Sequence, residues 1–267
     1  MKKTVALFVI LLTTLSLSAC GKNTTEPKKE KVYDSEFVQT LSKALHDRWA
    51  YQETDEYLEL QEKNEAEALI TATKNELKPI QNEDYPNKKF TDSKLKELAI
   101  SYGNLLNDSI SELKSASSTT FLDKFNELYT ERTKLLVEIN EIKKIPFEGD
   151  DENTFQELLN SGNEFKEQEA FDTKLETLLP TIKFEEQKQE YESEYKTYKA
   201  VVENTTGVDI KSFSARVYLE DESGTRVDTQ YMNTNDWSAG QKVTFEFTTN
   251  KKFTKITIVK DYVELAK

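Results

Sequence analysis

Apolar side chains recur at helical spacing between residues 34 and about 144. Phe37, Leu41, Leu45 and Trp49 stand four apart behind the cap candidates Asp34 and Ser35, and predict a first helix with one apolar side. A second helix is expected over residues 55–77, carrying Leu58, Leu69, Ile70 and Leu77, with Pro79 ending it. Asp92 caps a third, in which Leu95, Leu98, Ala99, Tyr102, Leu105, Leu106, Ile110 and Leu113 form the clearest stripe of the chain. A fourth follows the cap candidates Ser118 and Thr119. It runs through Phe121, Phe125, Leu128, Tyr129, Leu135, Leu136, Ile139 and Ile142, and stops before Pro146. Such stripes must be buried against one another, which with short links predicts an antiparallel bundle.

Beyond Pro146 the pattern weakens. Phe155, Leu158 and Leu159 mark a short helix that Gly162 interrupts or ends, and Leu175, Leu178 and Leu179 resume a helical pattern up to Pro180. Residues 183–198 are charged and are expected to form a helix or an extended connector. Near Tyr198 the period changes to two. Phe213, Ala215, Val217 and Leu219 alternate with Ser212, Ser214, Arg216 and Tyr218. Val243, Phe245 and Phe247, then Ile256 and Ile258, repeat the pattern, with Gly207, Gly224 and Gly240 in the turns between. Alternation bounded by turn residues predicts strands of a small sandwich. The expected fold class is therefore α+β. An N-terminal antiparallel helical bundle (34–197) is followed by a small C-terminal antiparallel β-sandwich (198–267).

The first 19 residues have the layout of a secretory leader: Lys2 and Lys3, an apolar run over residues 5–17, then small Ser18 and Ala19. That run is shorter than the roughly 20 residues a spanning helix needs. Leu17-Ser18-Ala19-Cys20 resembles the lipobox of bacterial lipoproteins, in which the Cys thiol receives a diacylglyceryl group and the chain is cut just before it. The resemblance implies that Cys20 becomes a lipidated N-terminus held in the bilayer by its acyl chains. Residues 20–33 are polar, contain Pro27 and lack periodicity, so a flexible tether is expected. Lys22, Lys28, Lys29 and Lys31 outnumber Glu26 and Glu30 there, which suits anionic headgroups and solubility equally.

Cys20 is the one cysteine, so neither an intrachain disulfide nor a thiolate zinc cluster is available. An exported chain of this kind depends on its core alone. The formal charge of −13 argues against nucleic-acid binding through a basic face.

Residues 201–249 resemble FxLYD-type domains of exported bacterial proteins. Asn204-Thr205 matches the turn after the first strand, residues 210–219 the long second strand, and residues 221–224 the acidic turn with Gly. Ala239-Gly240 matches the turn before the penultimate strand, with Ala239 where Pro is frequent, and residues 217–221 loosely match the motif letters. The segments "FVQTLSKALHDRW", "KKFTDSKLKELAISYGNLLNDS" and "ERTKLLVEI" resemble a family of uncharacterised lipoproteins of low-GC Gram-positive bacteria. Together these resemblances imply a helical domain before an immunoglobulin-like one, outside the cell membrane, and they carry no activity.

Candidate chemistry is sparse. The one histidine, His46, has Asp47 beside it, but adjacent helical residues do not face each other. The sequence has no nucleophile elbow, no H-E-x-x-H, no P-loop and no dinucleotide glycine pattern, so no cofactor is expected. The acidic stretches 148–155 and 219–224 lack the alternating ligand spacing of a calcium loop and read as solvated turns. Trp49 closes the first apolar stripe and is expected in the core, with neighbouring Arg48 a candidate for a structural ion pair. Trp237, in a turn before a strand, either caps the sandwich or stands exposed as a partner contact.

The leading expectation is a membrane-anchored surface lipoprotein that binds or scaffolds at the cell envelope without catalysis. Its partner would be an envelope protein or wall ligand, recruited in one version by strand addition at a sandwich edge. Two other classes stand beside it. An envelope enzyme would need at least two converging acids of shifted pKa in a deep pocket. A precursor would release a peptide signal from the apolar leader.

Overall fold

The computed structural model describes residues 31–266. It is α+β, with six helices followed by antiparallel strands in two three-stranded sheets. The helices are α1 (Asp34–Gln52), α2 (Asp55–Lys63), α3 (Glu65–Gln81), α4 (Ser93–Ser115), α5 (Phe121–Ile142) and α6 (Asp150–Leu178). The strands are β1 (Glu185–Glu186), β2 (Lys196–Glu203), β3 (Ile210–Glu220), β4 (Arg226–Trp237), β5 (Lys242–Thr249) and β6 (Lys255–Leu265). No helix among the described residues is long and apolar enough to cross a membrane.

In the bundle α1 packs on α3, α3 on α4, α4 on α5 and α5 on α6. Residues expected to face inward do so: Phe37, Leu41, Leu45, Leu95, Leu98, Tyr102, Leu106, Leu136 and Ile139 are buried in one core. Trp49 lies at its edge, half-buried against Phe147, while Leu58 and Ile142 are exposed.

Helix boundaries depart from the pattern in instructive places. The single helix expected over 55–77 is two, because Asn64 leaves the helical region and its side chain accepts from the Glu67 N–H at 3.2 Å, capping α3. Asn64 with Glu67 three residues on is a capping signal legible in the sequence. Pro79 does not end α3, which runs on to Gln81 with Ile80 buried beneath. Asp34 does not cap its own helix. It accepts from the Thr91 N–H (2.9 Å), the Thr91 hydroxyl (2.6 Å) and the Asp92 N–H (3.1 Å), tying the start of α1 to the start of α4. Asp92 caps α4 as expected, accepting from the Leu95 N–H at 2.9 Å.

Gly162 neither interrupts nor ends a helix, since α6 runs through it for 29 residues, about 43 Å at 1.5 Å per residue. A Cβ there would stand 2.6 Å from Val137 Cγ2 and 2.9 Å from the Thr133 carbonyl oxygen, so the glycine lets α6 lie close on α5. The long helix serves both cores. Phe155, Leu158 and Leu159 belong to the bundle, whereas Phe171, Leu175 and Leu178 are buried with the strands. Apolar packing therefore divides within α6 rather than at residues 197 and 198.

One sheet has the order β1-β2-β5, the other β4-β3-β6, all antiparallel. Phe213, Ala215, Val217 and Leu219 of β3 face inward, as their alternation requires, against Ala200, Val202, Phe245 and Phe247 of the facing sheet. Strand β4 carries no such alternation in its sequence. Its two buried residues, Met232 and Trp237, stand five apart, and Asp236 between them takes a left-handed φ of 50° that carries Trp237 onto the inner side.

Candidate functional site

Four helices each place one charged or phenolic residue on a largely apolar stripe. Arg48 follows Leu41 and Leu45 on α1, and Glu76 falls among Leu69, Thr73 and Ile80 on α3. Tyr102 sits between Leu98 and Leu106 on α4, and Arg132 between Leu128 and Leu136 on α5. Packing the four stripes together brings these groups to one point. Glu76 is 0 % exposed, and Arg48 and Arg132 are 6 % exposed each.

Glu76 is the hub. Arg132 Nε donates to its Oε1 at 2.7 Å, Arg48 Nη1 donates to its Oε2 at 2.9 Å, and the Tyr102 hydroxyl donates to Oε1. Arg48 Nη1 also reaches Thr73 Oγ1 at 3.3 Å, and that hydroxyl donates to the Leu69 carbonyl at 2.9 Å. Burial opposes the charge on Glu76, but the two guanidinium groups and the Tyr102 bond outweigh it and hold its pKa below the ordinary value. Burial also opposes the charge on Arg132, yet Glu76 and Tyr102 lift its pKa above the usual range. Arg48 is pulled down by burial. The Tyr102 phenol is pushed well up, first by burial and then by the Glu76 carboxylate.

Two cations against one anion leave a surplus positive charge inside a chain of net charge −13. One donor of that surplus is unused: Arg132 Nη2 is buried without a hydrogen-bond partner. Beside the cluster lie two spaces. A cavity of about 20 Å³ is walled by Thr73, Leu106, Ser109 and Leu113. A cleft of about 310 Å³ is lined by Trp49, Gln52, Leu69, Glu157, Leu158 and Ser161. Arg48, Phe125, Tyr129 and Arg132 line both.

The other sequence candidates fall elsewhere. Leu17, Ser18, Ala19 and Cys20 lie outside the described residues. Trp237, considered as an exposed partner contact, is 0 % exposed. It ends β4 and packs against Phe213 and Phe245, and its indole N–H donates to the Gln241 carbonyl at 3.0 Å. His46 pairs not with Asp47 but with Asp151 across the helices, Nδ1 to Oδ2 at 2.7 Å, while Asp47 takes Lys43 at 2.5 Å. In the acidic turn after β3, Asp221 Oδ1 accepts from the Ser223 N–H, the Ser223 hydroxyl and the Thr225 N–H, so its lone pairs serve the turn. A larger open hollow of about 810 Å³ lies at the sandwich end near Tyr198, Asp221 and Phe253. Its wall includes the Lys196–Glu186 pair (3.5 Å) and no buried charge, so the bundle cleft is the better-built site.

Among these residues Arg48 was singled out from sequence, as an ion-pair candidate, but Glu76 and Arg132 were not. Their signal was present: a charged side chain at the i+3, i+4 or i+7 position of an apolar stripe is a charge that the fold must bury. Compared with protein-family models, curated proteins and solved structures, the chain matches none.

Proposed function

We propose that this chain is a lipoprotein anchored at the outer face of the cell membrane through acylated Cys20, with a non-catalytic binding role. The observation that carries the binding half is the Arg48–Glu76–Arg132–Tyr102 cluster beside a cleft. Its charges are locked to one another, and Glu76 is held ionised rather than poised to exchange a proton. An enzyme working by carboxylates needs an acid raised toward neutral pH. The two most buried carboxylates of the described chain, Glu76 and Asp34, are both shifted down: burial opposes each charge but hydrogen bonds or ion pairs outweigh it. Fixed donors with spare positive charge suit holding a ligand.

Membrane attachment rests on the Leu17–Cys20 lipobox resemblance, with an immunoglobulin-like domain displayed beyond the bundle. The outer strands β4 and β6 carry exposed Tyr231, Val259 and Tyr262, a face that suits contact with an envelope partner. The test is metabolic labelling with a palmitate analogue, followed by crosslinking on intact cells, for the natural chain and Cys20→Ala. Label and membrane fractionation lost in Cys20→Ala, with a partner recovered from the natural chain alone, is the expected result. Equal membrane recovery of both forms would overturn the anchor. Rapid turnover of an envelope substrate by the purified chain would overturn the non-catalytic assignment.

A further inference from the structure

The cleft beside the buried cluster has features that select a ligand class. Its volume of about 310 Å³ lies at the low end of the roughly 300–1,000 Å³ typical of small-molecule sites, too small for a polymer segment. Trp49, Leu69, Phe125, Tyr129 and Leu158 give it an apolar and aromatic side, and Arg48, Gln52, Arg132, Thr154, Glu157 and Ser161 a polar one. The charge surplus of the cluster is one, and the unused donor is one guanidinium nitrogen, Arg132 Nη2. Guanidinium geometry matches a carboxylate or a phosphate. A surplus of one is balanced by a monoanion. A doubly charged phosphate would over-neutralise it, with exposed Glu157 also on the rim.

Resting on the binding role above, we propose that the cleft takes a small organic monocarboxylate. Its carboxylate is drawn to the Arg48–Arg132 floor, and its apolar or aromatic body lies against Trp49, Phe125 and Tyr129. Phe125 and Tyr129 are half-buried and line both the cleft and the inner cavity, so rotation of either joins the two spaces and gives the carboxylate access to Nη2. The inner cavity, about 20 Å³, is large enough for about one water.

Phenylacetate is the probe, titrated into the purified full chain in detergent while Trp fluorescence is read. The chain has two tryptophans, and Trp49 lines the cleft whereas Trp237 is buried in the sandwich, so Trp49→Phe identifies the reporter. Saturable quenching at millimolar concentration or below is expected, the range for a ligand of about ten heavy atoms. Phenylacetamide, the neutral isostere, should bind at least tenfold more weakly. Arg132→Lys, which keeps the charge and removes Nη2, should weaken phenylacetate at least tenfold. Because that variant disturbs Glu76, Ser161→Phe provides the second arm: it fills the cleft while leaving every member of the cluster in place, adds no tryptophan, and should abolish quenching in a folded chain. Absence of saturable quenching in the natural chain, equal binding of the amide, or tighter binding of inorganic phosphate would each overturn the proposal. Those failures leave the labelling and crosslinking of Cys20 untouched. Loss of anchoring with the carboxylate site intact would instead overturn the envelope assignment alone.

Discussion

The helical core encloses Arg48, Glu76, Tyr102 and Arg132, whereas the sandwich core encloses Asn204 and Thr206. Around Asn204 in the sandwich the polar groups close on themselves. Asn204 Nδ2 donates to the Val208 carbonyl (2.8 Å) and the Trp237 carbonyl (2.9 Å), and its Oδ1 accepts from the Thr206 N–H (3.1 Å) and hydroxyl (2.6 Å). Every donor and acceptor of that amide is used, and the result is a staple between the β2–β3 turn and the end of β4. The bundle cluster is built from stronger groups yet ends with a surplus charge and an idle donor beside a cleft. A satisfied buried network specifies structure, and one with a remainder has capacity for something further.

The sharpest way to break this contrast is Glu76→Gln. Removing the hub leaves two buried guanidinium groups facing each other, at a cost of about 3–5 kcal/mol. Urea unfolding followed by helical circular dichroism reads it, and a loss below about 1 kcal/mol would mean the cluster is far better hydrated than its burial implies. Proton linkage sharpens the same point from both ends. Glu76 has a depressed folded pKa, so its contribution is present above its unfolded value and is lost as pH falls through the folded one. Tyr102 has a raised folded pKa, so its contribution is present below the ordinary value of 10.0 and is lost as pH rises beyond it. Stability should therefore decline in acid and again above about pH 10, and Tyr102→Phe should flatten the alkaline decline.

Asn204→Ala tests the sandwich side. It removes the amide donors to the Val208 and Trp237 carbonyls and the acceptor of the Thr206 N–H, and is expected to cost about 2–3 kcal/mol, read by Trp237 fluorescence during unfolding. A smaller loss would show that the staple is replaced by water. Gly162→Ala addresses the α5–α6 contact and should cost about 1–3 kcal/mol through overpacking against Val137 and Thr133. The smallest effect belongs to Asp172→Asn, which removes the negative charge facing Lys260 Nζ at 2.8 Å between α6 and β6. Both side chains there are about a third exposed, so a loss under about 1 kcal/mol is expected.

Local patterns anticipated much of this architecture. The stripe of α4 with its Asp92 cap, and the alternation in β3 and β5, survive folding because the buried face is the one that sequence spacing presents. Asn64 was missed as a helix break although its capping geometry is local, because Leu69, Ile70 and Leu77 continue the apolar pattern past it. Gly162 misled in the opposite direction. A glycine flanked by weak periodicity reads as a stop, and only the nearness of Val137 and Thr133 on α5 explains a glycine within a continuous helix. Strand β4 was hidden because the positions opposite inward Leu219, Val217 and Phe213 are polar Asp228, Gln230 and Thr234, and the backbone turn at Asp236 puts Trp237 out of step with Met232.

Spacing and composition along the chain sufficed for helices before strands, for most inward residues of α1, α4, α5, β3 and β5, and for the expectation of a lipid anchor at Cys20. These depend on interactions within a few residues, or on short motifs. The convergence of Arg48, Glu76, Tyr102 and Arg132 is different. Each stands on its own helix, separated in sequence from its partners by 25 residues or more. Whether such a residue ends in water or against an opposite charge depends on how four helices rotate about their axes. That rotation is settled by packing all their apolar stripes at once.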